Sequence, residues 1–139
     1  MRPTGTCALC REERLLCDSH LLPKAIYRLM RAPDLKNPNP VHVVRDGAAV
    51  ATSKQITDYL LCEGCEQQFR RCGEDWAMAQ CYRDGSFKLR ESLRAIAPLS
   101  ANPNIQVYRG TDIPGTEQLV YFAMSVFWRA AVHHWRELG

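Results

Sequence analysis

The chain has 139 residues, with 18 Lys/Arg against 15 Asp/Glu and a formal net charge of +3. That length predicts one domain with one real core, and so small a charge surplus does not by itself mark a nucleic-acid binder. The longest apolar run, Leu119 to Trp128, is broken by Ser125 and closed by Arg129, which excludes a spanning helix of about 20 apolar residues and predicts a soluble protein.

The surplus is placed unevenly. Residues 1–61 carry nine Lys/Arg and six Asp/Glu, whereas residues 62–139 carry nine of each, so the first part is permitted a local basic face. The seven cysteines are an odd number, and the N-terminus lacks a charged stretch followed by an apolar segment. Both features predict a reducing, cytoplasmic setting rather than secreted disulfides.

In chain order, a first Cys-x-x-Cys knuckle, Cys7 to Cys10, runs into a short predicted strand, Arg14 to Cys17, that ends near His20. Pro23 suits the first turn of a helix reaching about Arg31. One side of that helix would carry Ile26, Leu29 and Met30, while Lys24, Arg28 and Arg31 form a stripe at i, i+4, i+7. Ala32 to Pro40 reads as an irregular loop. Val41 to Val44 and Ala48 to Thr52 flank Asp46-Gly47 as a small hairpin inserted before the second knuckle, Cys62 to Cys65.

After Cys65, a helix from Glu66 to about Tyr82 would present Phe69, Cys72, Trp76 and Ala77 inward and end at Asp84-Gly85. A short helix over 87–97, a polar loop from Ser100 to Asn104 and an extended piece from Ile105 to Tyr108 follow. Gly115 to about Glu137 reads as a long helix, apolar on most sides. Such a helix needs more than one neighbour; it would wrap the small core or pair with a second copy in a homodimer.

Two knuckles supply the four soft ligands of a structural zinc site, Cys7, Cys10, Cys62 and Cys65. Against that stands the plainer reading of buried thiols, since Cys17, Cys72 and Cys81 lie outside any paired spacing. A thioredoxin-type redox motif suits the chain less well, because neither pair sits between a clear strand and a long helix.

The order of knuckle, Ser19-His20-Leu21-Leu22-Pro23, and then Leu60-Leu61-Cys62-x-x-Cys65 at a helix start resembles the HNH, or His-Me finger, endonucleases with a zinc-bound treble-clef core. The resemblance covers about residues 5–75. It implies a small zinc-bound treble-clef, ββα core over 1–75 with an inserted hairpin; with the mostly helical extension that periodicity predicts over 76–139, the fold class is α+β. It also implies hydrolysis of nucleic-acid phosphodiesters, DNA favoured over RNA, with His20 as general base toward a water and a catalytic Mg²⁺ or Mn²⁺ that neutralises developing charge. In this family the metal is held by an acidic residue just before the histidine and by Asn or His just after the last cysteine. Here those positions are Ser19 and Glu66. Glu66 offers a hard oxygen, and Asp18, on the same face of a regular strand as His20, is the further candidate.

Plainer roles stand beside each of these. His20 could brace the core, and Glu66 could serve the helix dipole and pair with Arg70 at i, i+4. Lys24, Arg28 and Arg31 could be a solvated face rather than phosphate contacts. His133 and His134 point about 100° apart on a helix and form no ligand pair; His42 has no acid or thiolate at ligand spacing. Trp76, Trp128 and Trp135 read as core or as a partner surface. The alternative function is a non-catalytic treble-clef module that binds nucleic acid or a protein.

Overall fold

The computed structural model describes residues 1–31, 36, 39, 41–43, 49–51, 54–83, 85–102 and 104–135. Its centre is a three-stranded antiparallel sheet of order β1 (Thr4–Thr6), β2 (Glu13–His20), β5 (Thr57–Cys62). The predicted strand at Arg14 to Cys17 therefore extends through His20. Between β2 and β5 lie α1 (Lys24–Leu29) and a hairpin of β3 (Val41–Val43) and β4 (Ala49–Ala51), paired antiparallel with Val41 opposite Ala51 and Val43 opposite Ala49. The Asp46-Gly47 turn and nearly all of the Ala32 to Pro40 loop fall outside the described residues.

The helix after the second knuckle begins earlier than expected, at Glu63, because Cys62 is its extended N-terminal flank. It comprises α2 (Glu63–Phe69), a π-helical turn (Arg70–Glu74) and α3 (Asp75–Gln80). Beyond it, Gly85, with φ of 81°, turns a hairpin between β6 (Tyr82–Arg83) and β7 (Ser86–Phe87), so the helix ends at Gln80, ahead of the expected stop, of which Asp84 lies outside the described residues. Then come α4 (Lys88–Arg94), the strand pair β8 (Ser100–Ala101) and β9 (Gln106–Val107), a 3₁₀ turn (Gly110–Asp112) and α5 (Thr116–Val132). The fold is α+β with a mostly helical C-terminal region. Among the described residues no helix is long and apolar enough to cross a membrane.

Two glycines fix how α5 seats. Gly115 has φ of 78°, and a Cβ there would fall 2.2 Å from Cε2 of Trp76, so the left-handed start of α5 is pressed onto α3. At Gly73 a Cβ would fall 2.8 Å from the backbone nitrogen of Phe122, which lets the π turn and α5 meet backbone to backbone. Phe69 then packs edge-on against Tyr121 and Trp128, with centroids 6.1 and 5.5 Å away. The core joins Cys7, Leu16, Leu21, Leu60, Leu61, Cys65, Phe69 and Trp135.

Three expectations are corrected. Helix α1 is only six residues long and buries Tyr27, whose hydroxyl accepts the Ile56 N–H at 3.2 Å, while Leu29 and Met30 are exposed. Helix α5 stops at Val132 rather than near Glu137, because His133 is extended and Trp135 folds back. There the indole N–H donates to the Arg129 carbonyl at 2.9 Å, satisfying one of the helix's terminal acceptors. And α5, which turns Tyr121, Trp128 and Val132 onto the core, gives its most buried positions to Ser125 and Arg129 while Val120, Met124 and Phe127 face outward, so its apolar residues are not all covered.

Candidate functional site

The first knuckle is the turn between β1 and β2. Cys7 N–H donates to Glu12 O and Arg11 N–H to Cys7 O, both at 2.9 Å, and Arg11 takes the left-handed conformation that closes the loop. The second knuckle lies where β5 becomes α2. The two are stitched together by Ala8 N–H to Leu60 O at 3.1 Å and by Cys62 N–H to Cys7 Sγ at 3.3 Å. All four ligand atoms of Cys7, Cys10, Cys62 and Cys65 lie within 4.8 Å of one another, and Cys10 and Cys62 Sγ are 3.9 Å apart. A tetrahedral ion with sulfur at about 2.3 Å requires sulfur–sulfur edges of about 3.8 Å, so the four thiols could hold a metal ion with little adjustment.

Their electrostatics point the same way. Burial pushes the Cys7 thiol up, but N–H donors from Cys62, Cys10 and Leu9 outweigh it and bring it down to about 6. At Cys10 the Glu12 N–H pulls the thiol down, yet burial and the sulfurs of Cys7 and Cys62 leave it raised. Burial and then the three neighbouring sulfurs push Cys65 up. Four thiolates crowded together repel one another, and a bound cation relieves that repulsion while displacing protons. Cys17, Cys72 and Cys81 remain free thiols outside the cluster.

The sheet, not the cluster, positions His20. In the β2–β5 ladder Leu16 pairs with Cys62, Asp18 with Tyr59, Ser19 with Asp58 and His20 with Thr57. The thiols are therefore at one end of the ribbon and His20 at the other, about 14 Å along β2 at roughly 3.4 Å per residue. His20 is half-buried, and its imidazole has no hydrogen-bond partner among the described residues. Asp18 is exposed and shares its face of the strand by alternation. Lys24, Arg28 and Arg31 are all exposed directly after it.

Ser19 has a different task. The register shifts between Leu16 and Asp18, leaving Leu60 and Leu61 opposite Cys17 alone, a β-bulge that takes the Leu61 N–H out of the ladder. Ser19, 1% exposed, accepts that N–H at 3.1 Å and donates to Cys17 O at 3.4 Å. Its hydroxyl is spent on the bulge. Ser19→Ala should lose about 1–3 kcal/mol of stability, the cost of an unpaired buried N–H, with the metal stoichiometry unchanged; urea denaturation and metal analysis of the same samples check both.

Glu66 does not pair with Arg70, which instead lies 3.8 Å from Asp75. Its Oε2 faces Arg129 Nη2 at 3.7 Å, and Glu74 Oε1 meets the same nitrogen at 2.7 Å. In an unbroken α-helix residues eight apart are about 80° out of line; the wider π turn rotates the second half back, so both carboxylates reach α5. Glu66 Oε1 is buried without a hydrogen-bond partner. That orphaned oxygen suits a hard cation, which Ser19 does not. Among the described residues, the four thiols form the one group of three or more such side chains close enough to hold a metal.

Sequence reasoning missed Arg129, Glu74 and the pair His133 Nε2 to Asp58 Oδ2 at 3.0 Å. A charged residue inside an otherwise apolar helix was the available signal for Arg129. Nothing local signals Asp58 with His133, whose pairing depends on the turn after α5. No family model, curated protein or solved structure matches this chain, so its functional reading rests on its own residues.

Proposed function

We propose that this chain is a zinc-clamped, metal-dependent endonuclease of HNH type that hydrolyses nucleic-acid phosphodiesters, with DNA the favoured substrate. One observation carries the reading: the β2–β5 ribbon runs directly into α2 through the second knuckle, in ββα order, with the imidazole of His20, unpaired among the described residues, at the ribbon's far end. Zinc on Cys7, Cys10, Cys62 and Cys65 is structural, since all four positions of a tetrahedron are filled by protein. His20 takes a proton from the attacking water. Lys24, Arg28 and Arg31 contact backbone phosphates and orient the strand. Glu66 Oε1, with Asp18, would hold Mg²⁺ or Mn²⁺, ions that commonly rest on one or two carboxylates plus substrate phosphate. That ion would supply charge neutralisation at the phosphate.

Zinc-loaded protein should nick supercoiled plasmid with Mg²⁺ or Mn²⁺, and His20→Ala should slow nicking by about a hundredfold or more. Calorimetric titration with Mn²⁺ should show a second metal site that Glu66→Ala removes. A wild type that leaves plasmid, linear and single-stranded DNA intact in both metals, indistinguishable from His20→Ala, refutes the reading.

The engagement of Ser19 in the bulge and of Glu66 with Arg129 favours a second reading, a non-catalytic treble-clef module that binds nucleic acid. Binding would then survive His20→Ala, disappear when Lys24, Arg28 and Arg31 are neutralised together, and weaken steeply with salt.

A further inference from the structure

The four thiols of the cluster are not equally placed. Cys7 is fully buried and Cys65 is 7% exposed, both within the core, and the Cys7 sulfur accepts the Cys62 N–H at 3.3 Å. Cys10 is exposed and Cys62 half-buried. Both line an open cleft of about 540 Å³ whose walls also carry Arg2, Arg14, Glu12 and Glu63. Access therefore divides the cluster into an inner and an outer pair, and the outer pair takes one cysteine from each knuckle. Their sulfurs are 3.9 Å apart, so a disulfide of about 2.05 Å needs them to close by roughly 2 Å.

On zinc each sulfur is a thiolate, the form that attacks oxidants. A buried sulfur that accepts an N–H is shielded from such a reaction, whereas an exposed one is open to it. Four thiolates on one divalent ion leave the cluster net negative, and the two arginines of the cleft are matched by its two glutamates. The cluster thus repels an anionic oxidant and admits a neutral one, a hydroperoxide.

We propose that Cys10 and Cys62 are a redox pair through which a hydroperoxide expels the zinc. The Cys10 thiolate attacks a peroxide oxygen, the O–O bond breaks, and Cys10 becomes a sulfenic acid; with hydrogen peroxide the leaving group is hydroxide. The Cys62 thiolate then attacks the Cys10 sulfur, forms the S–S bond and displaces a second hydroxide. Two thiolates have lost two electrons and the peroxide has gained them. Cys7 and Cys65 are then the only ligands left, too few for a structural zinc site, and a dithiol reductant reverses the step. The inference rests on the zinc clamp of the proposed function and is independent of its catalysis.

The test uses Cys72→Ser protein, which lacks the exposed thiol outside the cluster. It is loaded with zinc, its metal content is measured, and it is titrated with hydrogen peroxide beside a zinc indicator. About one zinc should be released per peroxide consumed, with the loss of two thiols. Peptide mapping after acid quench and alkylation should find Cys10 joined to Cys62, and dithiothreitol with zinc should restore the starting metal content. Zinc that stays bound in excess peroxide, a first disulfide within one knuckle, or first oxidation at Cys17 or Cys81 overturns the inference and leaves the clamp standing. A protein that takes up no zinc overturns both.

Discussion

With zinc on the four-cysteine cluster, as proposed, removal of the ion is expected to unfold the protein rather than merely loosen it. The cluster joins the β1–β2 turn to the start of α2, and two of its thiols, Cys7 and Cys65, are themselves core residues beside Leu16, Leu61 and Phe69. Structural zinc binding to four-ligand peptides is worth about 10–16 kcal/mol at neutral pH, as much as the entire stability of a typical domain at about 5–15 kcal/mol. Without the ion, four sulfurs held within 4.8 Å of one another must take up protons or repel. A strong chelator should therefore abolish the helical circular dichroism, and zinc in excess should restore it. Cys62→Ser should reproduce the chelated state, whereas Cys72→Ser, at an exposed position away from the cluster, should change stability by less than about 0.5 kcal/mol. Lower pH should help the chelator, because protons compete for the thiolates. Retention of the native spectrum after complete metal loss would show that packing alone holds the ribbon to α2.

What could be read from the sequence was what is written in contiguous stretches. Each knuckle is four residues long, and the strand ending at His20 and the helix following Cys62 flank them directly, so the α+β core and its thiol cluster were both legible. Periodicity failed where its assumption failed. On α1, six residues give too few turns for a stripe to define an inner face, and Tyr27 won the buried position by supplying a hydrogen bond as well as a ring. On α5, apolarity on most sides implies burial on most sides, yet its two most buried positions go to Ser125 and Arg129. The pairs that decide this, Arg129 with Glu66 and Glu74 and His133 with Asp58, join residues far apart in the chain. Their alignment needs a π turn and a helix end that no local pattern announces.

Arg129→Met should cost about 3–5 kcal/mol, the usual penalty for removing one partner of a buried ion pair. The guanidinium is 1% exposed, lies 2.7 Å from Glu74 and 3.7 Å from Glu66, and sits 4.7 Å above the Phe69 ring. Methionine matches much of its volume and fills the space over Phe69, so most of the loss comes from leaving two largely buried carboxylates without a cation. Replacing all three together, Arg129→Met with Glu66→Gln and Glu74→Gln, should therefore recover a large part of the loss, because no uncompensated charge remains. Arg129→Lys should fall between the two: it keeps the charge but loses the flat guanidinium that lies over the Phe69 ring. Two features place the single substitution toward the lower end of the range. The Nε and Nη1 donors have no hydrogen-bond partner among the described residues, so the native guanidinium is incompletely satisfied, and the Glu66 contact is longer than a hydrogen bond. Urea denaturation, which leaves the charges unscreened, measures all three variants. A loss under about 1 kcal/mol for Arg129→Met would assign this pair to the class that specifies how α5 seats without stabilising it. In that case the triple variant should match wild type in stability and differ only in how uniquely α5 packs against the π turn.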